Sequence, residues 1–150
     1  MKETIKIDEN KLPATIQHEY KLKKLLRKRE DIKEGVQSDF LNFVKYVWRD
    51  FVEGSHHRHI ADKFNQLASG EINRLIINMP PRHTKSEFAS CLLPAWMVGL
   101  DPKLKIIQAT HTAELAIRFG RKAKNVIDSK EYQELFKTKL QEDSKAAGRW

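Results

Sequence analysis

The sequence predicts an α/β fold in which parallel strands alternate with helices behind a helical N-terminal segment. Three observations carry that expectation. Two short apolar runs, residues 75–79 and 104–110, have the composition of buried strands. Each is followed by a stretch of helical periodicity, 85–98 and 111–128. Strands alternating with helices of such length pair in parallel through right-handed crossovers.

Residues 1–37 read as a basic, helical arm and residues 38–150 as one further domain. In the arm, lysines and arginines between 20 and 30 surround a narrow stripe of Leu22, Leu25 and Leu26. That pattern fits an exposed helix leaning on the domain, or one that binds DNA or a protein partner, and Gly35 is its expected end. Ser38 is the expected N-cap of the next helix, where Phe40, Phe43, Val44, Val47 and Trp48 recur at core-facing spacing. After a short loop, Ile60, Phe64 and Leu67 share one face of another helix, and Gly70 suits its C-terminal turn.

Pro80 and Pro81 halt the first predicted strand. The helix after it carries Phe88, Leu92, Ala95 and Trp96, with the lone cysteine, Cys91, read as a buried small hydrophobe. Pro94 must kink or break that helix, because it has no N–H and its ring crowds the preceding turn. Residues 99–102 form a turn into the second predicted strand. Thr112 then suits the N-cap of a helix bearing Leu115, Phe119, Val126 and Ile127. A short helix over 130–136 and a polar, weakly patterned tail complete the chain.

The composition bounds the function. With 150 residues, 40% hydrophobic and 32% charged, the chain can bury one core. No apolar run approaches the ~20 residues that span a bilayer, and residues 1–10 lack the apolar region of a signal peptide. One cysteine excludes a disulfide framework, so a reducing cytoplasm is the expected location. A net charge of +8 suits a polyanionic partner: nucleic acid, nucleotide or an anionic surface.

The segment that carries chemistry is Pro80-Pro81-Arg82-His83-Thr84-Lys85-Ser86. A lysine at a helix start reaches β- and γ-phosphates, the following hydroxyl takes a Mg²⁺ position, and successive backbone N–H groups hold the anion. Lys85 and Ser86 match the end of the G-x-x-x-x-G-K-[ST] phosphate loop, whereas Met79 and Thr84 stand where it has glycines. Read as an ordinary loop, the segment leaves unexplained why Arg82, His83 and Lys85 crowd one helix N-terminus, where positive charge is unfavourable. A bound polyanion resolves the conflict.

The run from Arg74 to Glu87, followed by Leu93-Pro94-Ala95-Trp96 and Gly99, resembles the large terminase subunit of tailed phages and prophages, the DNA-packaging motor ATPase. Gly54-Ser55-His56-His57-Arg58-His59-Ile60 and Gly70-Glu71 upstream, and the segments 109–116, 118–121 and 144–150 downstream, are similar to that family as well. The resemblance covers about residues 38–150 and implies an ASCE-type P-loop NTPase core. It implies that Pro81, Arg82, His83, Thr84, Lys85 and Ser86 hold ATP, with Ser86 on Mg²⁺ and Lys85 on the β- and γ-phosphates. Arg82 would act as a γ-phosphate arginine from the same subunit, so Arg82 and Lys85 are the expected catalytic residues. Thr84 departs from the family's commoner glycine and narrows the room for phosphate. The partners implied are double-stranded DNA, the portal protein, the small terminase subunit and further copies of the chain. Its place would be the bacterial cytoplasm and, transiently, the procapsid portal.

Other candidates are weaker. His56, His57 and His59 have poor spacing for a metal and no accompanying carboxylates. The resemblance puts them near the adenine end of the site, while a helix-start role serves equally. Thr110, His111 and Thr112 could line the site, though an N-cap is the simpler account of Thr112. Arg118, Arg121, Lys122 and Lys124 could face DNA, a neighbouring subunit or water. Hydrolysis needs a carboxylate at the end of a third strand and an adjacent acid. Asp128, Glu142 and Asp143 do not fit that pattern. The expectation is therefore the N-terminal part of an ATPase domain, an incomplete core that binds nucleotide and hydrolyses it poorly alone. A non-enzymatic nucleic-acid or protein-binding module is the alternative.

Overall fold

The computed structural model describes residues 13–140, and the chain divides into two compact units, Met1–Glu34 and Gly35–Trp150. The first helix, α1, spans Ala14–Ser38. Within the first unit Leu22, Leu25 and Leu26 are about half exposed, as an uncovered stripe between lysines. The helix passes through Gly35 rather than ending there, and Asp39 caps the next helix instead of Ser38. The Asp39 carboxylate accepts from the Asn42 amide at 2.8 Å, and a carboxylate is a stronger acceptor for an orphan N–H than a serine hydroxyl.

The second unit is built from α2 (Phe40–Val47), α3 (Ser55–Ala68), α4 (Lys85–Glu87), a π-helical turn (Phe88–Leu92), α5 (Leu93–Leu100), α6 (Ala113–Asp128) and α7 (Lys130–Leu135). Phe40, with no exposed surface, is the hub of the core. Its ring centroid lies 5.1 Å from Phe64, 5.4 Å from Phe88 and 5.6 Å from Trp96, all edge-to-face, so four helical segments meet at one side chain. Tyr132 and Phe136 close the core against Phe43, with centroids at 6.2 and 6.0 Å. The Tyr132 hydroxyl donates to the Ala95 carbonyl at 2.8 Å, which satisfies the phenol inside an apolar setting, and burial pushes its pKa up. Trp96 Nε1 donates to the Val36 carbonyl at 3.3 Å and fastens the last turn of α1 to the core. Past α3, Gly70 takes a φ of 78° and donates to Leu67 O at 3.2 Å, the left-handed turn expected of it.

The predicted sheet does not form, and the α/β assignment is corrected. Among the described residues 66% are helical and none lies in a strand, so the parallel P-loop core is replaced by an all-helical fold. Residues 75–79 are extended, with Leu75, Ile77 and Met79 packed on the core, but Ile76 is 86% exposed. In the second run Ile107 is 95% exposed. A parallel sheet buries both faces of its strands and pairs their N–H and C=O groups. These segments have one covered face at most and no ladder partner. Helix packing, not strand pairing, closes the core.

Pro94 neither ends nor sharply breaks its helix. The chain widens over Phe88–Leu92 into a π turn, where Leu93 N bonds Phe88 O, and returns to α geometry with Pro94 in the first turn of α5. A proline withholds the N–H that the carbonyl four residues back would receive. Here that carbonyl is Ser90 O, and Gln108 Nε2 donates to it at 2.9 Å. One side chain from the 104–110 run thus replaces the missing donor.

Candidate phosphate-binding site

The site begins where the extended 75–79 run meets two prolines and must reverse into α4. Pro80 and Pro81 cannot donate backbone hydrogen bonds, so the turn is closed by side chains. His83 Nδ1 donates to Pro81 O at 2.9 Å, and Lys85 Nζ reaches back to Met79 O at 3.4 Å. Arg82 and Thr84 both have left-handed backbones, φ 65° and 58°. Neither is glycine, and such a conformation costs on the order of 1–3 kcal/mol for a side-chain-bearing residue. For β-branched Thr84 the conformation is a true outlier.

A relay of three hydrogen bonds holds Thr84 there. Gly54 N donates to His57 Nδ1 at 2.8 Å, which leaves the proton of a neutral imidazole on Nε2. His57 Nε2 lies 2.7 Å from Thr84 Oγ1, and Thr84 Oγ1 donates to His83 O at 2.7 Å. The polarity is consistent from end to end. His57 is placed for this by local sequence: it is the third residue of α3 and is 5% exposed, between the rings of Phe51 and Phe88 at 4.8 and 5.1 Å. Its pKa is lowered, first by burial and then by the neighbouring His56 and His83, against an opposing pull from Glu53. Glu53 itself is held down to about 2 by hydrogen bonds from Lys45 and then Arg58, which ties α2 and α3 to the loop that joins them.

The result is a shallow concavity of about 320 Å³ lined by Pro80, Pro81, Arg82, His83, Thr84, Lys85, Ser86 and Glu87. All six residues expected to hold ATP therefore border one space. Arg82 and His83 are exposed, and Lys85 is half-buried. Glu87 is the one acid in that lining, and Lys122 of α6 pairs with it, so its charge is largely offset for an incoming anion. The donor set fits a polyphosphate. Ser86 adds one hydroxyl oxygen, which suffices for a Mg²⁺ ion that takes its other ligands from phosphate and water.

Other predicted residues fall elsewhere. Thr112 is the N-cap of α6 and accepts from Leu115 N at 3.3 Å. Thr110 donates to Thr112 O at 2.7 Å, and His111 is exposed. Arg121 faces solvent, His59 is exposed on α3, and Cys91 is buried, its thiol pushed up to about 12, first by burial. Among the described residues no group of three or more His, Cys, Asp and Glu side chains is gathered to hold a metal ion, and no helix is long and apolar enough to cross a membrane. Glu142, Asp143 and the segment 144–150 lie outside the described residues. Sequence patterning does not assign His57 to Thr84. The one legible signal is a histidine three positions into a helix, directly after a glycine-led N-cap.

Compared with known proteins, the chain matches no family model, no curated protein and no solved structure.

Proposed function

We propose that this chain binds the phosphates of Mg²⁺-bound ATP in the 80–86 loop, as the nucleotide-holding part of a DNA-packaging motor of the terminase large-subunit kind. One observation carries the reading: the residue before Lys85 adopts the left-handed backbone of a phosphate-loop glycine although it is threonine. A strained conformation retained by a dedicated hydrogen-bond relay calls for a functional reason. The reading rests on this loop and on the likeness of the surrounding sequence, not on a sheet.

In this assignment Lys85 contacts the β- and γ-phosphates and Ser86 the metal ion. Exposed Arg82 folds over the γ-phosphate, where a guanidinium offsets charge building on a transferred phosphoryl group. Pro81, His83 and Thr84 shape the wall. Double-stranded DNA, the portal protein, the small terminase subunit and further copies of the chain are the proposed partners, with action in the host cytoplasm at the procapsid portal.

Calorimetric titration with Mg–ATP tests the proposal. Lys85→Ala should weaken binding at least tenfold, since charge-assisted contacts to phosphate contribute about 1.5–3 kcal/mol. If Lys85→Ala leaves ATP affinity unchanged while lowering affinity for duplex DNA, the loop anchors nucleic acid and the binding-module reading replaces this one.

A further inference from the structure

We infer that His57 is the positioning residue of the phosphate loop: its imidazole holds Thr84 in the left-handed conformation that a glycine would supply before Lys85. The inference rests on the phosphate-binding reading above and names what keeps that loop in shape.

The geometry is specific. Thr84 has a φ of 58°, and its hydroxyl sits 2.7 Å from His57 Nε2. Because Gly54 N–H occupies Nδ1, the Nε2 atom carries the proton and donates it to Thr84. The hydroxyl hydrogen is thereby directed to its other short partner, His83 O at 2.7 Å. Thr84 Oγ1 is thus an acceptor from α3 and a donor to its own preceding carbonyl, a combination that fixes the side-chain rotamer and, through it, the backbone. Glycine populates positive φ without such help. Threonine does not, and the relay offsets the strain that a β-branched residue meets there. His57 forms no part of the concavity's lining. It acts through Thr84, from a buried position between Phe51 and Phe88.

The arrangement makes the two residues interdependent in a way that a packing role for His57 does not. With Thr84 in place, removing the imidazole donor releases the loop. With glycine at 84, the loop keeps its conformation unaided and the donor has nothing left to hold.

The test is a double-mutant cycle of wild type, His57→Phe, Thr84→Gly and the double variant, read by Mg–ATP affinity and by urea unfolding. Phenylalanine retains the aromatic packing and removes only the relay. His57→Phe should weaken ATP binding roughly tenfold in the threonine background and less than about twofold in the glycine background. An equal loss in both backgrounds overturns the inference, because His57 would then act independently of Thr84. Thr84→Val, which keeps the shape and deletes the hydroxyl, reads the same bond from the other side should His57→Phe not fold. It should lose affinity to a similar degree, and an unchanged affinity is a second contradiction. The unfolding arm separates this idea from the one beneath it. If wild type shows no Lys85-dependent ATP binding, the phosphate reading fails, yet an unfolding-midpoint coupling between positions 57 and 84 still supports the brace, and its absence rejects it.

Discussion

Replacing Gln108 with alanine should destabilise the protein by exposing the defect that a distant proline leaves in its helix. Pro94 withholds its donor from Ser90 O, and Gln108 Nε2, 2.9 Å distant, replaces it. The alanine variant leaves a partly buried carbonyl with one fewer donor, at a cost of about 1–2 kcal/mol. In a unit of this size that loss lowers the melting temperature by roughly 4–8 °C. Circular dichroism during thermal and urea unfolding reads it directly. The decisive comparison is the Pro94→Ala background, where a backbone N–H returns to the helix and Gln108→Ala should cost less than about 0.5 kcal/mol. If Gln108→Ala costs the same in both backgrounds, the glutamine stabilises through something other than the donor missing at Pro94, and the account of this helix is wrong.

Two further outcomes follow from the packing and the titration of the same unit. A Cβ built on Gly99 would lie 2.8 Å from the Phe136 ring, so Gly99→Ala should cost about 1–3 kcal/mol in urea unfolding despite alanine's better helix propensity. His57 is neutral in the fold, with its pKa below the ordinary histidine value of 6.5, and His56, His83 and Glu53 are the charged or titratable groups that act on it. The unfolded chain therefore takes up the proton first as pH falls: the stabilisation is complete above about 6.5 and is lost below it, down to the folded pKa. Urea midpoints between pH 7.5 and 5.5 should fall in wild type more steeply than in His57→Phe, and parallel slopes would refute the assignment.

Much of the helical framework is legible in the sequence because its signal is local. Phe40, Phe43 and Val44, and Ile60 and Phe64, recur at a spacing that only a helix turns to one side, and all are buried. The extended runs mislead because alternation reports which face is covered and not whether a neighbour pairs. Leu75, Ile77 and Met79 do face the core, yet Ile76 and Ile107 stand in solvent with no strand beside them. Pro94 disturbs its helix as its chemistry demands, but the remedy lies in Gln108, which no local pattern connects to Ser90. In the site, sequence brings 80–86 together as one loop. It holds no sign that Arg82 and Thr84 turn left-handed, since propensity assigns that conformation to glycine, nor that a histidine 27 positions earlier holds one of them there.

The most direct test of the central claim is to follow backbone amide resonances of the uniformly ¹⁵N-labelled chain during titration with Mg–ATP. The largest shifts should fall on residues 82–86, with the His57 amide responding through Thr84, and Lys85→Ala should abolish them. Shifts centred on α1 or on the arginines of α6, or none at all at millimolar nucleotide, would contradict a phosphate-binding role for this loop.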